Sequence, residues 1–362
     1  MREGKHENIE EKRKSRGAVK ALKIIGIIIL ILVLLAAGVG IGGYIYLKNT
    51  FGKMQYQEIN KDEIEINEGV KETLKGYRMI ALFGVDSRAN ELEKGTRSDC
   101  IILAIIDQKT KKVNLVSVYR DTFLKISGRE LDKTNHAYAF GGAQLALSTL
   151  NTNLDLNMTE FVTVNFDSLV DIVDAVDGID MTITNAQLTV GKYNDYVQKT
   201  AKIVGKSTPS ISSAGKHTLN GIQATAYARL RYTAGGDYRR TERMREVLMA
   251  IVEKAKKMSV SKLTRLANTI LPEVYTNIKP DEIIGILPQL ATYSFQDSIG
   301  WPFETKGSQS IPGRGKIWYG IPVTLESNVK RLHQEVLGQE DYEVSETVKT
   351  ISNSIVNKSG YK

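Results

Sequence analysis

From Ile24 to Leu47 the chain carries no charged side chain, and no other feature constrains its fold so strongly. At about 1.5 Å of rise per residue, a helix of this length crosses a hydrocarbon layer roughly 30 Å thick. Tyr44, Tyr46 and Lys48 mark the far interface. The preceding residues 1–23 are polar, without apolar periodicity, and carry Arg2, Lys5, Lys12, Arg13, Lys14, Arg16, Lys20 and Lys23, which reads as a disordered basic tail. Positive charge before the span keeps that tail in the cytoplasm and sends everything after Lys48 outside. A cleaved signal peptide is the competing reading, because Ala36-Ala37-Gly38 offers small residues, but the apolar run is longer than a usual signal core.

The chain has 362 residues, 42% hydrophobic and 25% charged, enough for one large domain with appendages. A formal charge of +8 suits an anionic partner: nucleic acid, a membrane surface or a phosphorylated substrate. The single cysteine, Cys100, excludes an intramolecular disulfide, a zinc cage and a Cys-x-x-Cys redox pair. Four histidines without metal-ligand spacing argue against a histidine-bound metal.

Residues 48–75 are polar and mixed in charge and read as an extracellular stalk. Organised structure is expected over 76–345. Three apolar runs, Met79–Val85, Ile101–Ile106 and Val113–Val118, read as buried strands that end in charged residues: Asp86, then Arg97 and Asp99 before the second strand, then Arg120 and Asp121 after the third. Residues 135–151 hold a Gly141-Gly142 turn and then a helical pattern carried by Ala143, Leu145, Ala146, Leu147 and Leu150, and a second helical pattern at 168–176 lies between strands at 161–166 and 178–184. The expected fold is therefore α/β, a mixed central sheet covered by helices on both faces and preceded by one transmembrane helix. Residues 185–213 are polar and lysine-rich and suggest no chemistry. Asn220 reads as the N-cap of a helix leading to Arg229. Helices are expected at 260–267, 280–290 and 323–337, a strand at 293–303, and a loosely ordered tail at 346–362.

Between Ala226 and Arg245 fall six arginines, Arg229, Arg231, Arg239, Arg240, Arg243 and Arg245, grouped about Gly235-Gly236 and Asp237. Guanidinium groups are permanently charged forks matched to phosphate oxygens. A helix beginning near Asp237, whose stripe is Met244, Val247, Leu248, Ile251 and Val252, would set its N-terminal N–H groups beside them. A solvated helix face is the other reading, since Arg239 and Arg243 stand at helical spacing from Glu242 and Glu246.

Carboxylates at neighbouring strand ends, Asp86 and Asp99, with no cysteine or suitable histidine, favour a hard cation such as Mg2+ (or Mn2+). Plain salt bridges to Arg97 and Arg120 would explain the same residues. Arg88 reads as a loop residue, and Lys133, Asn135 and His136 as an ordinary loop containing a satisfied histidine.

Taken together, Phe83-Gly-Val-Asp86-Ser-Arg88, Arg97-Ser-Asp99, Ser117-Val-Tyr-Arg120-Asp121, Lys133-Thr-Asn135-His136-Ala-Tyr138 with Gly141-Gly142, Leu219-Asn220-Gly221, Arg229-Leu-Arg231 and Asp237-x-x-Arg240-x-x-Arg243 resemble the LytR-CpsA-Psr family in order and spacing. The resemblance implies a membrane-anchored phosphotransferase that moves a glycopolymer, such as teichoic acid or capsule, from a polyprenyl-pyrophosphate carrier to peptidoglycan. It also implies that Asp86 and Asp99 hold the metal and that Arg97, Arg120, Arg229, Arg231 and Arg240 grip the pyrophosphate. Asp237 would belong to the same site, and Arg243 is a further motif arginine. Lys133, Asn135 and His136 gain a structural or substrate-edge role by the same resemblance. Three positions depart from the family pattern: Tyr119 for proline, Met244 for glutamine and Arg239 for glycine.

Outside a cell there is no nucleotide triphosphate to drive a ligation, so the energy must arrive in a lipid-linked pyrophosphate. Either Asp237 or Asp86 could serve as general base. A hydrolase or a non-catalytic binder of polyprenyl pyrophosphate fits the same residues. A DNA-binding regulator fits poorly, because the arginines lie beyond the span and no nucleic-acid motif is present.

Overall fold

The Tyr77–Val85, Ser98–Asp107 and Lys112–Val118 strands form because each is a run of β-branched and aromatic residues too apolar for solvent. In the computed structural model they make an antiparallel meander with Tyr77 opposite Asp107 and Ile106 opposite Val113. Asp107 tightens the turn between the second and third strands, accepting hydrogen bonds from the Lys109 and Thr110 N–H groups at 2.8 and 3.0 Å. Glu160–Asn165 lies on the far side of Tyr77–Val85, followed by Val274–Thr276. Ile299–Trp301 pairs parallel with Lys112–Val118, so the sheet is mixed.

The structure describes residues 41–85, 92–165, 169–230, 271–286, 293–296 and 299–362. Between 231 and 270 it describes only Arg243, Glu246, Val247, Ala250, Ile251, Lys254, Met258, Lys262 and Asn268. These residues divide into two units. One comprises 56–164, 275–278 and 298–362; the other comprises the described residues of 41–55, 165–274 and 279–297.

The first unit holds the sheet and the main core. The Thr134–Leu154 helix buries Ala137, Tyr138, Ala143, Ala146, Leu147, Leu150 and Leu154 in the same cluster as Phe83, Leu103, Ile105 and Val116. Each buried leucine, isoleucine, valine or phenylalanine among them contributes roughly 1.5–3 kcal/mol on burial, and each alanine less.

Two segments expected to be peripheral belong to this core. Residues 346–362 are not a loose tail: Glu346–Ser359 is a helix capped by Ser345, with Val348, Ile351 and Ile355 buried. Nor is 48–75 a stalk throughout, because Ile64, Val70 and Leu74 are buried in the same cluster. Asp155 joins both segments to the helix it follows. Fully buried, it accepts hydrogen bonds from Asn67 Nδ2 at 2.6 Å, Ser345 N at 2.8 Å and Ser345 Oγ at 2.7 Å. Mixed polar composition hid these segments, since few apolar residues suffice where a core already waits for them.

In the second unit Ile179–Ile183 pairs antiparallel with Gly215–Leu219, a strand absent from the sequence reading. The polar stretch 185–213 holds the Asn185–Leu188 and Tyr193–Val204 helices, the latter burying Tyr193, Val197 and Ala201. Asn220 caps the Gly221–Arg229 helix as expected, through a reciprocal pair of bonds with Gln223. The expected strand at 293–303 consists instead of Ser294–Phe295 and Ile299–Trp301. Pro280–Ile286 is helical. Of 260–267 only Lys262 is described. Residues 1–40, with most of the expected membrane span, lie outside the described residues, among which no helix is long and apolar enough to cross a membrane.

Candidate functional site

The rim of the sheet is shaped by a bulge. Gly84 faces Cys100 but Val85 faces Ser98, so Asp99 is the extra, bulged residue of its strand. Bulges re-aim side chains, commonly beside functional sites. On the other side, Ile102 faces Ser117, and continuing that register brings Asp99 opposite Arg120. The two form an ion pair through Arg120 Nη1 and Asp99 Oδ1, both side chains mostly buried.

Arg120 sits in a turn whose ends are fixed by backbone bonding. Tyr119 O accepts from Thr122 N at 3.0 Å and from Thr122 Oγ1 at 2.6 Å. Tyr119 N donates to Trp301 O at 2.9 Å, a bond that proline, usual at this position in the family, could not make. The Tyr119 phenol occupies the space that a Cβ on Gly300 would need. The departure at Tyr119 thus extends the parallel ladder by one bond.

Asp121 lies 3.3 Å from Arg120 Nε and 2.7 Å from Lys133 Nζ. A guanidinium held between two carboxylates is orientationally fixed before any ligand arrives, which is what electrostatic stabilisation of a developing charge requires. Asp99 and Asp121 balance Arg120 and Lys133. Arg97, next to this cluster, is exposed and makes no ion pair among the described residues, so the group as a whole favours an anion.

The segment leading to Arg97 is itself anchored. Tyr138 donates its hydroxyl hydrogen bond to Leu92 O, and Gly95 N donates to Ala139 O at 3.1 Å. Gly142, at φ 63°, breaks the helical path of Thr134–Leu154, and a Cβ there would run into the Glu93 carbonyl oxygen. Tyr138 is a core residue and also a strut for this loop. Burial pushes its phenol well above the ordinary tyrosine value, so it stays protonated and able to donate.

The stretch expected to be an ordinary loop begins the helix instead: Lys133 is its N-cap, and Asn135 N donates to Arg120 O at 3.0 Å. Sequence reasoning missed Lys133 as a partner of Asp121, and it missed Asp132. The Asp132 carboxylate lies 2.9 Å from His136 Nδ1 and 3.9 Å from Arg314 Nη1. Burial pushes that carboxyl up, but the His136 hydrogen bond, the Lys133 N–H and the nearby charges outweigh it, and the net shift is below the ordinary carboxylate value. The signal in sequence was the Asp132–His136 spacing of four residues.

Of the other expected site residues, Arg229 is the last residue of its helix and belongs to the second unit. Arg243, also there, is buried and donates from Nη1 to Leu230 O at 2.8 Å. That bond holds the backbone just after Arg229. Asp86, Arg88, Arg231, Asp237, Arg239, Arg240 and Met244 lie outside the described residues.

For a divalent cation the donor chemistry fits. Asp99 offers carboxylate oxygen, and Ser98 Oγ, buried in the residue before it, has no hydrogen-bond partner among the described residues. Hard cations take such oxygens, and magnesium needs only one or two carboxylates when phosphate completes its shell.

A mixed α/β sheet with an arginine clamped between carboxylates at its rim is the framework of an anion-handling α/β protein. The chain belongs to the LytR-CpsA-Psr family, whose profile matches residues 41–299. It is 32% identical over 324 residues to the polyisoprenyl-teichoic acid–peptidoglycan teichoic acid transferase TagU of Enterococcus faecalis, covering 88% of this chain and 97% of that one. To the corresponding transferase TagT of Bacillus subtilis it is 28% identical over 309 residues, covering 83% and 92%. The crystal structure of protein gbs0355 from Streptococcus agalactiae superposes with a TM-score of 0.57 at 28% identity, covering 79% of this chain and 95% of that one.

Proposed function

We propose that this protein is a membrane-anchored phosphotransferase that moves a glycopolymer from a polyprenyl-pyrophosphate carrier to peptidoglycan. The reading is supported by the transferase names of relatives that align along nearly their whole length. The observation that carries it is Arg120, held by Asp99 and Asp121 beside Lys133 and Arg97. Arg97 and Arg120 bind the pyrophosphate oxygens, and the clamped guanidinium meets the charge that spreads as phosphorus is displaced. Arg229, Arg231, Arg240, Arg243 and Asp237 are assigned to the same ligand by family resemblance alone. Asp86 and Asp99 would hold Mg2+ or Mn2+, which when bound neutralises diphosphate charge.

The uncharged run Ile24–Leu47 anchors the chain in the cell membrane, its basic tail cytoplasmic and its catalytic part extracellular. Polymer, carrier and acceptor then meet on the same side of the bilayer.

Incubating the full-length protein in detergent with a synthetic lipid-pyrophosphate saccharide, uncross-linked peptidoglycan and Mg2+ tests the proposal. Conjugate is expected, and Arg120→Ala should lower its rate by about 10²–10³-fold. Release of phosphorylated glycan alone would make the protein a hydrolase. No product, with the lipid retained, would make it a binder.

A further inference from the structure

Transfer to a sugar hydroxyl requires a group to take that hydroxyl's proton, and the carboxylates around Arg120 are already committed. Asp99 is bound to Arg120, Asp121 to Arg120 and Lys133, and Asp132 to His136 and Arg314. His136 is different. Its Nδ1 lies 2.9 Å from Asp132 Oδ2, and its Nε2 has no hydrogen-bond partner among the described residues. The ring is partly exposed, at 17% of its side-chain surface.

A carboxylate on Nδ1 fixes both the tautomer and the ring plane, leaving Nε2 as a proton acceptor aimed away from the carboxylate. The pair is joined to the arginine cluster by backbone. Lys133, between Asp132 and His136 in sequence, binds Asp121, and Asn135, next to His136, donates its N–H to the Arg120 carbonyl at 3.0 Å. The remaining groups around the pair are Arg314 and Tyr319, whose hydroxyl lies 3.3 Å from Asp132 Oδ1. Beyond the ring lies Phe140, edge-on at 5.7 Å, with Arg129 stacked over it at 4.5 Å. Phe140 is 44% exposed and the His136 side chain 17%, so the pair borders solvent.

We propose that His136, oriented by Asp132, is the general base that activates the acceptor hydroxyl. The inference rests on the transferase reading above. In the step it serves, the hydroxyl proton passes to His136 Nε2 while the hydroxyl oxygen forms a bond to the phosphorus nearer the glycan. The bond from that phosphorus to the bridging oxygen breaks, and the lipid monophosphate leaves with the electron pair.

The test is the rate of conjugate formation by full-length protein as a function of pH, for the wild type, His136→Gln, Asp132→Asn, Asp86→Asn and Asp237→Asn, with thermal melts to establish folding. His136→Gln should fold as the wild type does and lower kcat by about 10²–10⁴-fold with KM for the lipid nearly unchanged. The acid limb of its pH profile should vanish, added imidazole should restore part of the rate, and both Asp86→Asn and Asp237→Asn should keep the acid limb. Asp132→Asn should show a smaller loss with the acid limb displaced. If wild type forms conjugate and His136→Gln either keeps its rate within tenfold or keeps the same acid limb, the assignment of His136 is overturned and the transferase reading stands. If wild type forms no conjugate, both fall together.

Discussion

Arg120 shows how one side chain is made ready for work by its neighbours. Its guanidinium is mostly buried between Asp99 and Asp121, so the cost of ordering it is met in folding rather than in binding. Arg120→Lys keeps the charge but loses the planar fork, and we expect transfer to fall by about tenfold to a hundredfold, less than for Arg120→Ala. Both rates come from the conjugate assay, and Arg120→Ala should also melt at lower temperature, because it leaves two buried carboxylates with one fewer counter-charge. Asp99, Arg120 and Asp121 were legible as candidates from their positions at strand ends. Their choice of partner was not, since the salt-bridge and ligand readings of the same residues differ only in where the third dimension puts them. The pairing of Lys133 with Asp121 escaped notice because nothing in a linear sequence ties residues twelve positions apart.

At the scale of elements, the Thr134–Leu154 helix matters for its defect. Gly141-Gly142 reads in sequence as a turn, yet in the structure it is a kink within one long helix, and the loop of Leu92 to Gly95 lies in the notch it opens. Gly142→Ala would meet both a positive φ and the Glu93 carbonyl. A cost of about 1–3 kcal/mol is expected, read as a lower urea midpoint, together with a fall in transfer, because the same loop delivers Arg97. The three strands of the meander were visible as unbroken apolar runs. The bulge at Asp99 was invisible, because register depends on which strand lies alongside. The Tyr193–Val204 helix was missed for a simpler reason: Tyr193, Val197 and Ala201 keep helical spacing, but lysines dilute the pattern.

At the scale of the molecule, the first unit draws its core from segments far apart in the chain. Deleting residues 346–362 removes Val348, Ile351 and Ile355 from it, and at roughly 1.5–3 kcal/mol for each buried side chain the truncated protein should lose most of its stability. Its circular dichroism melt should shift down by many degrees or lose its cooperative transition. His333 adds a pH dependence. It is buried, stacked on Tyr342 at 3.6 Å, with Nε2 3.0 Å from Leu154 O and Nδ1 2.8 Å from the Gln339 side chain. Burial holds its pKa below the ordinary 6.5. The unfolded chain therefore takes up a proton that the folded chain resists. The stability this residue contributes is complete above about pH 6.5 and declines as pH falls through that value, by up to about 1.4 kcal/mol per unit. Urea midpoints at pH 7.5 and 5.5 should differ more in wild type than in His333→Gln.

Local chemistry alone determined that this chain carries an uncharged run long enough for a bilayer, that its strands are buried, and that arginines and carboxylates gather at their ends, because hydropathy and charge are properties of residues in a row. Only the tertiary structure decided that Asp99 meets Arg120 across a bulge, that Lys133 meets Asp121, and that the last helix completes the core. Those outcomes depend on register, kinks and long-range burial, which are settled by packing between segments that the sequence does not place side by side.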